Sequence, residues 1–426
     1  MKPNSQIIKS DILGKSYVLS THPSGLKIYL YPMKGFTTYY GMFGTKYGSI
    51  DNSFVDENNK TVNLPEGIAH FLEHKLFESE DGDAFTKYAE TGAYSNAYTS
   101  FDRTCYLFSC SNRFYDNLKI LLNFVRSPYF TKETVEKEQG IIGQEIRMYD
   151  DQPSWQVLFN MLGAMYVNHP VKTDIAGTVE SISEITHSLL YDCYNRFYSL
   201  SNMFIVLAGD FDPDEVLDFI YKNLKVSDVQ TLNREPVNEP DRINKSYTEC
   251  NLDVAKPLFC IGFKENIKTV CPSSKHTVAM ELFLKMLVGP ASRLYKKFLD
   301  EELINEDFTP EYFTGRGIAI PMFEGESKNP ERILELILEE VESIKENGID
   351  LKLFNAVKKE LYGSVIRRFD KAESICSSLA DGAVLGYDLF EQIEAILSAE
   401  PDDIKEILPL FKKENSVLSV VRGNKK

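Results

Sequence analysis

Residues 66–78 read EGIAHFLEHKLFE, and two of the chain's six histidines, His70 and His74, stand four positions apart in it with Glu73 directly before the second. A helix puts positions four apart on one face. His70 and His74 therefore lie one above the other, Glu73 leans toward the same side, and Phe71 and Leu72 face elsewhere. Such a pair has two readings, a hydrogen-bonded structural feature or two ligands of a metal ion. A third ligand separates them, because a catalytic zinc takes three protein ligands, commonly two histidines and a carboxylate, and keeps a fourth position open.

The stretch TVEKEQGIIGQEIRMYDD, residues 134–151, is expected to form a long helix. Glu136 and the preceding Glu133 read as solvated surface. Glu138 and Glu145 are seven apart, two helical turns, so they share a stripe and both reach a site made by packing this helix on the first. Glu145 lies 145 − 74 = 71 residues beyond His74.

The rest of the chain supplies a frame. At 426 residues and 48.6 kDa it exceeds what one hydrophobic core serves, which predicts two domains. The stretch 224–246, LKVSDVQTLNREPVNEPDRINKS, is polar, carries two prolines and lacks a hydrophobic period, which is linker composition. The expected division is a first domain over 1–230, a linker over 231–246 and a second domain over 247–426. Before the linker, LKIYLYPM and RTCYLFSCS read as strands, and Phe114, Leu118, Leu121, Leu122 and Val125 form one helical stripe. After it, PLFCIGFK reads as a strand, and Asn329-Pro330 starts a helix with Ile333, Ile337, Val341 and Ile344 on one face, ending before Gly348. The apolar runs NMFIVLAG (202–209) and NSVLSVVRG (415–423) each follow a helix at an offset of 415 − 202 = 213 residues. That is half the chain, consistent with two copies of one α+β fold.

A net charge of −16 argues against nucleic acid and against anionic membrane surfaces as partners. The N-terminus lacks the apolar core of a signal peptide and no run is long enough to span a bilayer, so a cytoplasmic protein is expected. Seven cysteines without a close pair predict buried or idle thiols, not a disulfide framework or a cysteine zinc knuckle.

HFLEH at 70–74, the E-x6-E pair Glu138 and Glu145, and TGAYSNAYTSFDRTCYLF at 91–108 between them together resemble the pitrilysin/insulinase family of metallopeptidases, the inverzincins. The likeness runs over essentially the whole chain and also reaches the mitochondrial processing peptidase subunits. It implies an α+β fold of two homologous domains, each an antiparallel-rich sheet covered by helices. It further implies one zinc ion (Zn2+) per chain held by His70, His74 and Glu145, with Glu73 as general base and Glu138 supporting the zinc helix. Asn96, Ala97 and Thr99 fall on the family's substrate-side edge strand. Ligand type alone also permits manganese or cobalt.

Chemistry agrees with this mapping. Zinc acidifies a water molecule and polarises a carbonyl, while Glu73, too close to both histidines to ligate comfortably, takes the proton and passes it to the leaving amine. An extended peptide adding to an exposed strand near Asn96 would be held by main-chain hydrogen bonds with little sequence preference. One departure stands out. The family's C-terminal domain carries an Arg-x6-Tyr pair that steadies the substrate carbonyl. In the matching region, GPASRLYKKFLDEELINEDF at 289–308, its positions hold Leu299 and Glu306, and no arginine in the chain is followed by a tyrosine seven residues later. The resemblance therefore implies a heterodimer with a homologous, zinc-free subunit that supplies the pair, a homodimer being the other assembly. The alternative function is a non-catalytic structural or peptide-binding subunit of the same fold, which has no reason to keep His70, Glu73, His74 and Glu145 intact. Arg293 and Tyr295 read as packing or surface residues, His169 as part of a loop, and Asp212-Pro213 as a helix cap.

Overall fold

The apolar run at 203–209 forms the strand Met203–Gly209, with every residue buried. A strand without a polar face belongs in the middle of a sheet with cover on both sides. It lies between Lys27–Pro32, which it pairs in parallel, and Tyr39–Thr45, which it pairs antiparallel. The full order of this seven-stranded sheet is Ser5–Ser10, Lys15–Thr21, Lys27–Pro32, Met203–Gly209, Tyr39–Thr45, Thr104–Cys110 and Tyr94–Thr99. The last of these is an edge, hydrogen-bonded among the described residues only to Thr104–Cys110. The structure, a computed structural model, describes residues 4–55, 60–80, 82–234 and 237–424.

The run at 416–423 occupies the same place in a second sheet. Ser416–Gly423 pairs in parallel with Tyr247–Leu252 and antiparallel with Leu258–Phe263, followed by Ile318–Glu326 and the edge strand Thr309–Gly315. These five strands repeat the order and relative directions of the last five strands of the first sheet. The fold is thus α+β, one antiparallel-rich topology used twice. The expected helices are present as Phe114–Val125, whose whole stripe is buried, and Pro330–Asn347, where the Asn329 side chain accepts from the Arg332 amide and Gly348 ends the helix. All seven cysteines are free, and only Cys250 and Cys271 are not fully buried. Among the described residues no helix is long and apolar enough to cross a membrane.

The chain forms two compact units, and neither is a contiguous half. The first takes residues 4–146, 174–234 and Arg367–Phe390; the second takes Arg147–Thr173, Val237–Ile366 and 391–424. Helix Pro153–Met165, from the first half of the sequence, packs on Leu258–Phe263 and Ser416–Gly423 of the second sheet. Helix Ala372–Leu385 packs on Met203–Gly209 and Tyr39–Thr45 of the first. This departs from an expected division into 1–230 and 247–426. A helix with an apolar stripe goes where a complementary sheet face is, and its own sequence does not say which face that is. The polar stretch 231–246 is also fastened at both ends. Arg234 reaches Asp51 at 2.7 Å in the first unit. In the second unit Glu239 accepts from the amides of Val167, Asn168 and His169 and pairs with the buried Lys264. Residues 235–236 of that stretch lie outside the described residues.

Candidate metal centre

The histidine motif forms the helix Ile68–Leu76. It starts from Gly67 at φ 86°, in the left-handed region that favours glycine, and a Cβ there would sit 2.2 Å from the Ala176 carbonyl oxygen. The neighbouring Glu66 carbonyl accepts from the Ser181 hydroxyl at 2.8 Å, so the entry to the helix is fixed from two sides. Ile68, Phe71, Leu72 and Leu76 are buried, and the helix packs on the strands Tyr94–Thr99 and Thr104–Cys110. The polar face is thereby held at the open edge of the first sheet.

The second helix runs Lys132–Asp150 and buries Val135, Ile142, Ile146 and one carboxylate, Glu138. His74 Nδ1 and Glu138 Oε1 are 3.0 Å apart, an ordinary hydrogen bond. Two turns on, Glu145 presents Oε1 at 3.8 Å from His70 Nε2 and Oε2 at 3.6 Å from His74 Nε2. Both separations are too long for hydrogen bonds. The three ligand atoms lie within 4.8 Å of one another. Ligands held 2.0–2.2 Å from a tetrahedral ion would be about 3.3–3.6 Å apart, so the two histidine–glutamate separations of 3.8 and 3.6 Å are near that spacing and the cluster as a whole is open by about an ångström at most. His70 Nδ1 is buried without a hydrogen-bond partner among the described residues. A buried imidazole with no ordinary hydrogen bond at either nitrogen is costly, and an ion beside Nε2 would satisfy that nitrogen while leaving Nδ1 as the protonated one. The residues therefore fit a divalent ion of the zinc type. His74 and Glu145 keep 25% and 22% of their side chains in solvent, leaving access for ion and water.

The electrostatics divide the two histidines. Burial, with the neighbouring His74 adding to it, pushes His70 down to about 3, so its ring is neutral and competent to ligate. Burial also disfavours charge on His74, but the Glu138 hydrogen bond and the charges of Glu73 and Glu145 outweigh it and raise its pKa. Its partner Glu138 is correspondingly lowered despite burial. The Glu138 bond holds Nδ1 and leaves Nε2 facing Glu145, the arrangement by which an outer carboxylate fixes a metal-binding imidazole. Burial raises Glu73, with hydrogen bonds from Thr99 acting against it. A carboxyl poised upward in this way suits a group that must accept and release a proton.

The residues expected on the edge strand divide into two sets. Thr99 Oγ1 donates to Glu73 Oε2 at 2.7 Å, which brings Thr99 into the cluster. Asn96 and Ala97 do not touch it. The Asn96 side chain bonds the Tyr94 hydroxyl and the Ala97 amide, at 3.0 and 2.9 Å. Sequence reasoning gave Thr99 only a place beside substrate; its contact with Glu73 follows from strand register, and no residue spacing signals it. Thr104, which the motifs did not single out, stands directly opposite Thr99 and is fully buried. Of the remaining readings, Arg293 forms a surface pair with Glu340 at 2.6 Å, and Asp212 caps the helix Pro213–Asn223. His169 caps the short turn Pro170–Lys172, its Nδ1 accepting from the Val171 amide, and burial pushes it down to about 4.

Comparison with known proteins agrees with this geometry. Residues 58–179 match the family model described as Insulinase (Peptidase family M16), and residues 184–361 match that described as Peptidase M16 inactive domain. The Bacillus subtilis (strain 168) protein named "Uncharacterized zinc protease YmfH" is 38% identical over 395 residues, covering 90% of this chain and 91% of that one. A crystal structure from Alicyclobacillus acidocaldarius described as an M16-like peptidase superposes over 100% of both chains with a TM-score of 0.90 at 30% identity. The Escherichia coli periplasmic protease PqqL shares the fold alone, at 17% identity and a TM-score of 0.75, matching 98% of this chain and 48% of that one. With the inverted histidine motif, the repeated topology and a relative this similar over nine-tenths of its length, the chain belongs to the insulinase family of peptidases, M16.

Proposed function

We propose that the chain is a zinc-dependent endopeptidase of short unstructured peptides, with His70, His74 and Glu145 as the ligands and Glu73 as the general base. The observation that carries this reading is the meeting of two imidazole Nε2 atoms with a carboxylate from a separate helix, beside a buried carboxyl that is not among the three. Zinc held there would acidify a water molecule and polarise the scissile carbonyl. Glu73 accepts the proton and returns it to the leaving amine. Glu138 keeps the His74 ring turned. The strand Tyr94–Thr99, unpaired along one side, receives an extended peptide through its main chain, with Asn96 and Ala97 on the substrate side.

The Arg-x6-Tyr pair has no counterpart in the sequence, so full activity requires a second, homologous and zinc-free chain that encloses the peptide and supplies those donors. Loss of one such donor costs about 10²- to 10³-fold in rate, which sets the scale of the partner's effect. Seven free cysteines suit a reducing, cytoplasmic setting. The test is metal analysis together with cleavage of a quenched peptide by metal-stripped and zinc-reloaded protein, alone and with the partner. One zinc per chain, zinc-dependent cleavage and a large gain on mixing are expected. A chain that retains no metal, or that cleaves equally well without it, sinks the reading.

A further inference from the structure

Thr99 stands where the edge strand meets the base, and its hydrogen-bonding capacity is fully determined. Its hydroxyl has one proton and two acceptors in reach, Glu73 Oε2 at 2.7 Å and Thr104 Oγ1 at 3.4 Å. Thr104 cannot compete for a role as donor to Thr99, because it spends its own proton on the Tyr47 carbonyl at 2.9 Å in a fully buried position. The Thr99 proton therefore goes to Glu73. The Thr99 backbone amide lies near the same carboxyl and helps to hold its pKa down. Strand geometry agrees: backbone groups of an edge strand point alternately toward the neighbouring strand and away from it. The Ala97 amide bonds the Asn96 side chain and not the sheet, so positions 97 and 99 both face the open side.

The tip that carries Thr99 is also pinned. The carbonyls of Ser100 and Phe101 accept from the amides of Ser49 and Ile50, at 3.1 and 2.9 Å. Gly48 lies so close that a Cβ would come within 2.4 Å of the Ser100 oxygen. Arg103 ties the turn to Asp102 at 3.0 Å and to Asp381. A glutamate's terminal torsion is broad and its carboxylate turns freely unless something holds it.

We propose that Thr99 is a positioning residue for the base: through its hydroxyl it fixes one oxygen of Glu73, so that Oε1 is presented to the attacking water. The strand that receives the peptide thereby also sets the orientation of the proton acceptor. This rests on the peptidase reading above and assigns Thr99 a role other than substrate contact.

The test compares wild type, Thr99→Val and Thr99→Ser by crystallography and by kinetics on a quenched peptide, with zinc content measured for each; Thr99→Ala replaces the valine variant should that one not fold. Valine keeps the branched shape and the backbone amide and removes only the hydroxyl. The expected result is a Glu73 carboxylate turned away in Thr99→Val and in place in Thr99→Ser. Zinc content should be equal in all three, and kcat should fall about 10- to 100-fold in the valine variant, with KM unchanged and recovery in the serine variant. A carboxylate that stays in place with kcat within threefold of wild type overturns the proposal. So does a rise in KM at constant kcat, which would make Thr99 a peptide contact. Should zinc-loaded wild type cleave nothing, with or without its partner, the peptidase reading fails by itself and the carboxylate position in Thr99→Val still decides this inference.

Discussion

The two halves of the chain use the same five-strand order and opposite helix chemistry. After the second strand of the repeat the first half places Ile68–Leu76, with His70 and Glu73 among its buried residues, and the second half places Ser274–Val288, whose buried positions are Val, Ala, Met, Leu and Phe. The contrast recurs one layer out. Lys132–Asp150 buries Glu138 among aliphatic residues, whereas Leu351–Arg368 buries Phe354, Val357, Leu361 and Val365. An unpaired carboxylate in such a stripe would be expelled or neutralised, and Glu138 is kept by the His74 ring that it orients. The second half has one histidine on its helix, His276, at the first turn and paired with Glu265 at 2.7 Å. It also buries a charge of its own, Lys264, but surrounds it with Glu239 and the carbonyls of Pro240 and Arg242. The first half thus holds a polar cluster with bonds left to make, and the second holds one whose bonds are made. Buried polar groups that complete their hydrogen bonds specify structure; those that do not are available for chemistry.

The sharpest way to break this contrast is Glu73→Gln. On the proposed reading it removes the base and leaves the ligands, so peptide cleavage should fall by about 10³-fold or more while zinc content by elemental analysis should match that of wild type. Retained cleavage would remove the functional difference between the halves. Glu138→Gln should weaken zinc binding by about 10- to 100-fold, read by competition with a chelator, because the His74 ring loses the partner that turns its Nε2 inward. The second half supplies the stability counterpart. Glu239→Ala leaves Lys264 buried without its counter-ion and should cost about 3 kcal/mol in urea unfolding. Burial raises the Glu239 carboxyl, but Lys264 and three backbone amides outweigh it and hold it below the ordinary carboxylate value. Its contribution is therefore present above the unfolded value of about 4.3 and is lost as pH falls through the lower folded value, so the stability gap between wild type and variant should close under acid. A gap that widened at low pH would contradict the pairing. The smallest effect is expected from His276→Ala, which should change neither zinc content nor cleavage by more than about twofold, the scale of a surface substitution.

Much of this was legible beforehand because it rests on short-range periodicity. His70, Glu73 and His74 share a face whatever surrounds them, and so do Glu138 and Glu145, because helix geometry alone fixes offsets of four and seven. The strands at 203–209 and 416–423 were readable because a central strand must be apolar on both faces. Thr99 was placed on the right strand but not beside Glu73, since contacts between a strand and a helix packed on it carry no periodic signal. The exchange of Pro153–Met165 and Ala372–Leu385 between the sheets was hidden for a related reason: an apolar stripe states that a helix will be covered and not by what.

The sequence by itself determined the candidate ligand types, their order along each helix and the repeated strand pattern, all properties of a few consecutive turns of backbone. Only the tertiary structure decided that the Glu145 carboxylate comes within 3.8 Å of both imidazoles, that Glu138 bonds one of them, and that the edge strand ends on Glu73. Those distances depend on how a helix entered through Gly67 packs against a sheet and against a second helix more than fifty residues further along the chain, and such packing is settled by complementary surfaces in three dimensions and not by local spacing.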